Sequence, residues 1–308
     1  MPASLAAYLI LILNIDITLD SSIRDQSTEQ NLPSLTSYPL LTMAPNTKVI
    51  LIRHGQATHN LEDDFQQPDP RLTELGKEQC VKGLRDAFAA GEWEDFQDLE
   101  LIVVSPLFRT LETAFLAFGK EFRDKKVPFV VLPEFQETSP NPCDTGSSVE
   151  SLKAAFPSLD FSNCERHDWL TKSHGFYTRT NLGVRATCAR KWLFERPEKV
   201  IAVVTHSGFL RWLTPQDFPF VENRDKYRNC EYRGYTFAQT TSDDGEGSPF
   251  KLVEEHWSVE LRKAKRAGEV ETPVLTADPS ETVAEAIAPP SQGGDGAFDD
   301  PEQPTIVF

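Results

Sequence analysis

The stretch KVILIRHG, residues 48–55, joins an apolar run to a cation and an imidazole. Its residues 49–52 are all Val, Ile or Leu, which favours a strand buried on both faces. The run ends on Arg53, His54 and Gly55. A packed core has no use for a guanidinium beside an imidazole, whereas a site that holds an anion and attacks it does. We therefore predict a buried strand that delivers a functional site at its carboxyl end.

Three further apolar runs, separated by helical patterns, are typical of buried strands: LELIVVS (99–105), VPFVVL (127–132) and KVIAVVT (199–205). Such an alternation predicts an α/β fold, a single-domain three-layer sandwich with a largely parallel sheet covered by helices on both faces. Two later runs, 232–239 and 250–257, alternate in polarity, and we expect them to pair as edge strands.

Local signals place the main helices between these runs. Residues 72–90 have helical spacing, with Thr73 as the N-cap. A second helix is expected after Pro106, with a stop at Gly119. Residues 181–196 form a third amphipathic segment. These helices supply the crossovers that a parallel sheet requires.

The negative charge is concentrated at the two ends of the chain. The formal net charge is −16 over 308 residues. Residues 267–308 contain nine Asp or Glu and no Lys or Arg, and residues 1–42 carry a net −3, which leaves −4 for the body. A mildly acidic body argues against nucleic-acid binding. It permits a small phosphorylated substrate, because local cations can dominate one pocket.

Composition divides the chain into three segments. We expect a folded domain over 45–265 and a disordered acidic tail over 267–308, which is rich in Pro, Gly and Ala without a period. Residues 1–42 are expected to be an N-terminal extension with no folded role, because Met43 begins MAPNTKVILIRHG, typical of a natural start. A signal peptide or anchor remains the alternative, since LAAYLILIL (5–13) has the length of a signal core. That run is too short to span a bilayer stably.

Five cysteines occur, an odd number, and none forms a CxxC pair. A disulfide framework is therefore not expected, and free thiols in a reducing compartment fit better. The absence of any N-x-Ser/Thr sequon agrees with this interpretation. We accordingly predict a cytoplasmic protein.

Polar residues follow each predicted strand. In open α/β sheets, ligands bind beyond the carboxyl ends of the strands. The first strand delivers 53–55, the second leads to Arg109 one turn into its helix, and the fourth delivers His206. The third leads to a loop that carries Glu137 and Asp144. Chance rarely brings imidazoles, guanidiniums and carboxylates to one edge, so we predict that they form one site.

Five motifs occur in order along the chain: RHGQATHN, DPRLTELGKEQ, SPLFRTLETA, FQE and VVTHSG. Together they resemble the histidine phosphatase superfamily, also called phosphoglycerate-mutase-like, over residues 48–260. The resemblance is to its mutase and small-phosphatase branch, because Ser207 rather than Asp follows His206. The segments PCDTG and RNCEYR are similar to fungal members.

The resemblance implies a role for each matching residue. The nucleophile would become a phosphohistidine, cationic groups would hold the phosphoryl oxygens, and a carboxylic acid would protonate the leaving alcohol. Asp144 remains an alternative to Glu137 for that last role. The implied assignments are His54 as nucleophile, Glu137 as proton donor, Arg53, Arg109 and His206 as phosphoryl ligands, and Asn60 as an assistant at the phosphate.

Elementary electrostatics supports these assignments. A nucleophilic imidazole must be neutral, and the pKa of an unperturbed histidine lies near 6.5. Arg53 and Arg109 would disfavour the protonated form of His54 and would attract a phosphate dianion. The planar guanidinium can also contact two oxygens at once.

We therefore predict a phosphomonoesterase that hydrolyses a small phosphorylated metabolite through a phosphohistidine, without cofactor or metal. Its expected partner is a small-molecule phosphate ester. A phosphoglycerate-type mutase and a non-catalytic phosphoryl-binding module are the alternatives. The remaining histidines are expected to be surface or packing residues: His59, His167, His174 and His256.

Overall fold

The computed structural model describes residues 46–165, 168–214, 226–238 and 250–268. The predicted extension (1–42) and all but the first two residues of the predicted tail (267–308) lie outside the described residues. Within that range the chain forms a six-stranded sheet with helices packed on it. The strands are β1 (Lys48–Arg53), β2 (Leu101–Val104), β3 (Phe129–Val131), β4 (Val200–Thr205), β5 (Tyr232–Phe237) and β6 (Leu252–Glu254).

The strands are ordered β3-β2-β4-β1-β5-β6. The pairs β3–β2, β2–β4 and β4–β1 are parallel, whereas β5 pairs antiparallel with both β1 and β6. The predicted α/β fold with a largely parallel sheet is thus confirmed. Arg53 pairs in register with Thr205. The carboxyl ends of β1 and β4, which precede the two candidate histidines, are therefore adjacent.

Both faces of the sheet are covered. Ile50 and Ile52 belong to a large aromatic-rich cluster on one face. Val49 and Leu51 are equally buried although they point to the other face, because side chains alternate along a strand. All six residues of β4 are buried as well. Continuous Val, Ile and Leu runs are the expected sequence of such doubly covered strands.

Helices connect the strands and supply both covering layers. Among the described residues, no helix is both long and apolar enough to cross a bilayer. The helices are α1 (Thr58–Glu62), α2 (Glu74–Cys80), α3 (Ala87–Ala89), α4 (Phe108–Asp124), α5 (Val149–Ala155), α6 (Ser162–Glu165), α7 (Leu182–Phe194), α8 (Ser207–Leu213) and α9 (His256–Ala267).

The predicted helix over 72–90 is present with an unforeseen irregularity. The Thr73 hydroxyl accepts from the Gly76 amide, which confirms the predicted N-cap. A π-helical stretch, Val81–Asp86, then joins α2 to α3. A π turn inserts an extra residue, which the 3.6-residue periodicity of the sequence does not reveal.

Two local predictions were wrong. Helix α4 does not stop at Gly119 but continues to Asp124, because Phe122 in its last turns packs on Phe129, with ring centroids 4.9 Å apart. The run 250–257 is a strand only over β6, and His256 already begins α9. Tertiary packing decided both boundaries, which local residue preferences leave open.

Candidate active site

His54 lies directly after β1, and its ring is almost fully buried. Its Nδ1 lies 2.7 Å from the carbonyl oxygen of Gly55. Because a carbonyl only accepts, Nδ1 carries the proton and Nε2 keeps its lone pair. Burial, together with the nearby Arg109 and Arg53, holds the pKa of His54 well below its usual value. The imidazole is therefore neutral, with Nε2 as its nucleophilic atom.

The main chain around His54 is fixed on several sides. A Cβ at Gly55 would lie 2.6 Å from the carbonyl oxygen of Gly76 and 2.9 Å from Sγ of Cys80, so only glycine fits there. Asn229 donates its side-chain amide to the carbonyl oxygen of His54 at 3.1 Å. These contacts fix the backbone that carries the imidazole of His54.

Arg109 lies in the first turn of α4 and is 1% exposed. Its Nε donates to Nε2 of His54 at 3.3 Å, which places the guanidinium against the nucleophilic atom. Its Nη1 donates to the carbonyl oxygen of Cys143 and its Nη2 to Oδ1 of Asp144, at 2.5 and 3.0 Å. Arg109 therefore bridges His54 and the loop that carries Asp144.

His206 follows β4 and begins α8 as its N-cap residue. Its ring centroid lies 5.2 Å from that of His54, and its Nε2 lies 2.8 Å from the Ser105 hydroxyl. Its Nδ1 is buried and has no hydrogen-bond partner among the described residues. Burial, reinforced by Arg109, holds the pKa of His206 well below its usual value. A second neutral imidazole thus has one nitrogen available to a ligand.

Arg53 is the last residue of β1 and is partly exposed. Its Nη1 donates to the carbonyl oxygen of Tyr227 at 2.8 Å. Its Nε is buried without a partner in the described part of the chain. Burial lowers the pKa of this guanidinium, while the carboxylate of Glu137 raises it. Arg53 is therefore a cation of the same site, with a polar atom left unpaired.

Glu137 lies beside the first turn of α8. Its Oε2 accepts from the Gly208 amide at 3.0 Å, and its Oε1 accepts from the Thr138 amide at 2.8 Å. A Cβ at Gly208 would lie 2.3 Å from Oε1, so the carboxyl approaches the backbone where only glycine leaves room. Glu137 therefore lies at the start of the helix that His206 caps, and its charge acts on Arg53.

Asp144 has a different environment. It forms an ion pair with Arg109, in which the side chains are 13% and 1% exposed. Its Oδ2 also accepts from the Ser139 hydroxyl at 2.6 Å. The Asp144 carboxylate is therefore held as a counter-ion by a cation and a hydroxyl, whereas the donors to the Glu137 carboxyl among the described residues are backbone amides.

Asn60 caps α1 in this structure. Its Oδ1 accepts from the Ala57 amide at 3.2 Å, and its Nδ2 donates to Nε2 of His59 at 2.9 Å. It reaches the candidate nucleophile through Asn229, whose amide lies 3.5 Å from Oδ1 of Asn60. The side chain is thus near the site, with its polar atoms already occupied.

Several site residues were not singled out from the sequence. His59, predicted to be a surface or packing residue, is buried with its ring centroid 6.1 Å from that of His54. Burial, together with Arg109, lowers the pKa of His59 to about 4. Lys172 and Arg185 are buried cations next to Glu137. No local pattern marks them, because they belong to segments without a recognisable motif.

The other histidines lie elsewhere. His174 and His256 are exposed, and His167 lies outside the described residues. Over the described ranges, no group of three or more His, Cys, Asp and Glu residues could hold a metal ion.

The family model of the histidine phosphatase superfamily (branch 1) matches residues 49–229. A probable phosphatase of Schizosaccharomyces pombe is 30% identical over 168 residues, which is 53% of this chain and 75% of that protein. A phosphoglycerate mutase-like protein of Arabidopsis thaliana is 34% identical over 200 residues, which is 53% of this chain and 72% of that protein. The phosphoglycerate mutase-like protein 2 of the same plant is 30% identical over 270 residues, or 66% and 76%.

Solved structures give more distant matches. The phosphoserine phosphatase of Entamoeba histolytica in complex with 3-phosphoglyceric acid is 18% identical, with a TM-score of 0.41 over 62% of this chain and 91% of that chain. The mycobacterial glucosyl-3-phosphoglycerate phosphatase is 18% identical, with a TM-score of 0.42 over 69% and 99%. The family match alone spans more than half of the chain and includes the motifs at both histidines. The chain belongs to the histidine phosphatase superfamily and is an enzyme of the histidine phosphatase type.

Proposed function

We propose that this enzyme hydrolyses a small phosphomonoester through a phosphohistidine formed on Nε2 of His54. One observation carries the proposal: a buried, neutral imidazole presents its unprotonated nitrogen to the guanidinium of Arg109 at 3.3 Å. A neutral nucleophile beside a cation is what attack on a phosphate dianion requires.

Substrate binding uses the two guanidiniums of the site and the free ring nitrogen of His206. The phosphoryl oxygens accept hydrogen bonds from Arg53, Arg109 and Nδ1 of His206. With the Ser105 hydroxyl donating to Nε2 of His206, its Nδ1 carries the proton and faces the anion. Donors that are already fixed stabilise charge in the transition state without reorganisation.

In the first step, Nε2 of His54 attacks phosphorus and the bond from phosphorus to the ester oxygen breaks. The leaving oxygen takes a proton from the Glu137 carboxyl, so the alcohol departs neutral. The phosphoimidazole that remains keeps its hydrogen bond from Nδ1 to the carbonyl oxygen of Gly55. That bond stabilises the positive charge which the ring acquires.

Glu137 suits the proton-donor role better than Asp144. Protonating Asp144 would break its ion pair with Arg109 and release a cation that binds substrate. The Glu137 carboxyl has no side-chain cation in hydrogen-bond contact among the described residues, so it can exchange a proton without breaking an ion pair.

In the second step, water attacks the phosphoryl group on His54, and Glu137 accepts a proton from that water. The bond from nitrogen to phosphorus breaks, and inorganic phosphate leaves. Both steps use the same carboxyl group in opposite directions, which restores the enzyme to its starting protonation state.

The relatives support two outcomes for the phosphoryl group. The fission-yeast relative is named as a phosphatase, and the plant relatives are named as phosphoglycerate mutase-like. A mutase must retain the phosphoryl group and return it to the substrate, so a phosphoglycerate mutase is our second candidate. Measuring phosphate release against phosphate migration on a phosphoglycerate separates them. Membership of this enzyme family argues against the non-catalytic module.

We also propose a compartment and a partner for the enzyme. All five cysteines are buried free thiols, which supports a reducing compartment such as the cytoplasm. A small-molecule phosphate ester remains the proposed partner, and the acidic body supports no role with nucleic acid.

The decisive experiment removes the nucleophile. His54→Ala is expected to lower kcat/KM for phosphate release by about 10⁴-fold or more, because the covalent path is lost. The exposed His174→Ala is the matched control and should keep wild-type activity. Rapid acid-free quenching with labelled substrate should trap an acid-labile phosphoryl adduct at residue 54. An adduct at another residue, or turnover of the His54 variant near the wild-type rate, would refute the mechanism.

A further inference from the structure

Lys172 is a buried cation that touches the catalytic loop from outside the recognised motifs. Its side chain is 7% exposed. Its Nζ donates to the carbonyl oxygen of Glu137 at 2.9 Å and to the carbonyl oxygen of Asp144. It forms no ion pair with any described residue, although two carboxylates lie close by. An ammonium group buried on two carbonyl oxygens loses more hydration than two such bonds restore, which calls for a functional reason.

The two carbonyl groups are the ends of the segment 137–144, which we call the catalytic loop. One end carries the Glu137 carboxyl. The other end holds Arg109 through the carbonyl oxygen of Cys143 and the carboxylate of Asp144. A single ammonium group therefore ties together the two ends of the loop that set the proton donor and the phosphate-binding guanidinium.

The segment that carries Lys172 is itself anchored to both sides of the catalytic loop. Before the loop, Gln136 donates its side-chain amide to the carbonyl oxygen of Trp169 at 2.9 Å. After the loop, the Trp169 ring packs so closely on Gly146 that a Cβ there would lie 2.4 Å from it. The backbone that carries Lys172 is thus fixed against the catalytic loop at Trp169, three residues before the lysine.

We propose that Lys172 is a positioning residue, whose ammonium group closes the catalytic loop and holds Glu137 in line with the leaving oxygen and Arg109 against the phosphoryl group. The inference rests on the proposed function. Lys172 touches no reacting atom, so its effect passes through the two backbone carbonyl oxygens that it binds.

The charge of Lys172 is poised to change near neutral pH. Burial lowers its pKa to about 7, against the opposing effect of Asp144 and Glu137, while the cations Arg185 and Arg109 lower it further. The same ammonium contributes to the lowered pKa of His206. As pH rises through about 7, the free enzyme loses this charge, and the closure of the loop weakens because a neutral amine is a poorer donor than an ammonium group. A bound phosphate dianion favours the charged form and restores it.

The first test compares leaving groups. Lys172→Met keeps the length of the side chain and removes its charge. It is expected to lower kcat about tenfold on β-glycerol phosphate, whose alkoxide needs a proton, and much less on p-nitrophenyl phosphate. Lys153→Met, at an exposed ion pair, is the matched control and should keep the wild-type kcat on both esters. Equal losses on the two esters would overturn the proposal, because a purely structural defect does not distinguish leaving groups.

A double-variant cycle with Glu137→Gln sharpens the result. If Lys172 acts by positioning Glu137, the second substitution costs little on β-glycerol phosphate once the first is present. Losses that multiply in the double variant would show that the two residues act independently, and would contradict the inference.

The pH profile needs no variant. For wild-type enzyme, kcat/KM on β-glycerol phosphate relative to that on p-nitrophenyl phosphate should fall as pH rises above about 7, because the free enzyme deprotonates. In Lys172→Met the ratio should be low and flat over the same range. A ratio independent of pH in the wild type would refute the inference. An unmodified protein that hydrolyses neither ester would instead refute the proposed function.

Discussion

Two charged regions of this molecule differ in how many of their cations have a carboxylate as counter-ion. Around α9 and β5, carboxylates stand against the cations, and the pairs are Arg233 with Glu231, Arg262 with Glu254, and Lys265 with Glu92. At the carboxyl ends of β1 and β4, Arg109 has a counter-ion in Asp144. In the same region, however, Arg53 and Arg185 have buried nitrogens without a partner in the described ranges, and the bonds that Lys172 forms within those ranges are to carbonyl oxygens.

The pKa values follow the same division. Burial lowers the pKa of Arg53, Lys172 and Arg185. The pKa falls to about 7 for Lys172 and to about 10 for Arg185. Burial also opposes the charge of Arg233, but Tyr227 and Glu231 raise its pKa above the usual value. A buried cation without a counter-ion is destabilising, and a bound anion can offset that cost. The difference supports the proposal that the strand-end region binds an anion.

Among the tests of this comparison, the largest effect is expected at Glu137, whose carboxyl has no side-chain cation in hydrogen-bond contact among the described residues. Glu137→Gln should lower kcat on an alkyl phosphate by about 10³-fold and on p-nitrophenyl phosphate far less, because only the alkoxide needs a proton. Asp144→Asn, which disrupts the Arg109 pair, should affect both esters similarly and mainly raise KM. Steady-state kinetics on both esters distinguishes the two patterns. If Asp144→Asn showed the leaving-group dependence instead, the proton donor would have to be reassigned.

An intermediate effect is expected when inorganic phosphate is added, because it can bind the cations at the carboxyl ends of the strands. Inorganic phosphate at about one hundred times its Kd should stabilise the folded state by about 2.7 kcal/mol, because it binds the folded chain and supplies the missing counter-charge. Differential scanning fluorimetry should show a rise in Tm of about 5–10 °C for a domain of this size. Chloride at equal ionic strength is the control. A phosphate effect no larger than that of chloride, or one that survives Arg109→Met unchanged, would contradict the comparison.

The smallest effect is expected in the paired region. Glu254→Gln weakens the ion pair with the largely buried Arg262 and should lower the free energy of unfolding by about 1 kcal/mol, with kcat unchanged. Urea unfolding monitored by circular dichroism measures the change. Glu260→Gln, at an exposed pair, should be nearly neutral. A loss of kcat in the Glu254 variant would show that the two regions are not separate.

The sequence anticipated which candidate residues become neighbours where topology leaves few choices. Parallel strands bring their carboxyl ends to one edge, so His54 after β1 and His206 after β4 had to be neighbours once the strands paired. The same argument placed Arg109, because it follows β2 by one helical turn. These placements need only the strand pattern and the parallel arrangement of the sheet.

The sequence did not reveal the neighbours that long loops bring back to the sheet. Lys172 and Arg185 follow Glu137 by 35 and 48 residues, and no periodic signal says which side of the catalytic loop they meet. The sequence favoured Glu137 over Asp144 only through its match to the family motif, because the choice depends on which carboxylate reaches Arg109. Contacts of this kind depend on loop closure rather than on local preference.

The sequence by itself determined the α/β fold and the group of imidazoles and guanidiniums at the strand ends, because hydrophobic periodicity and motif order are local properties. Only the tertiary structure decided which charges are paired. Whether a buried cation meets a carboxylate or a carbonyl oxygen is set by the packing of segments far apart in the chain, and no local pattern in the sequence specifies that packing.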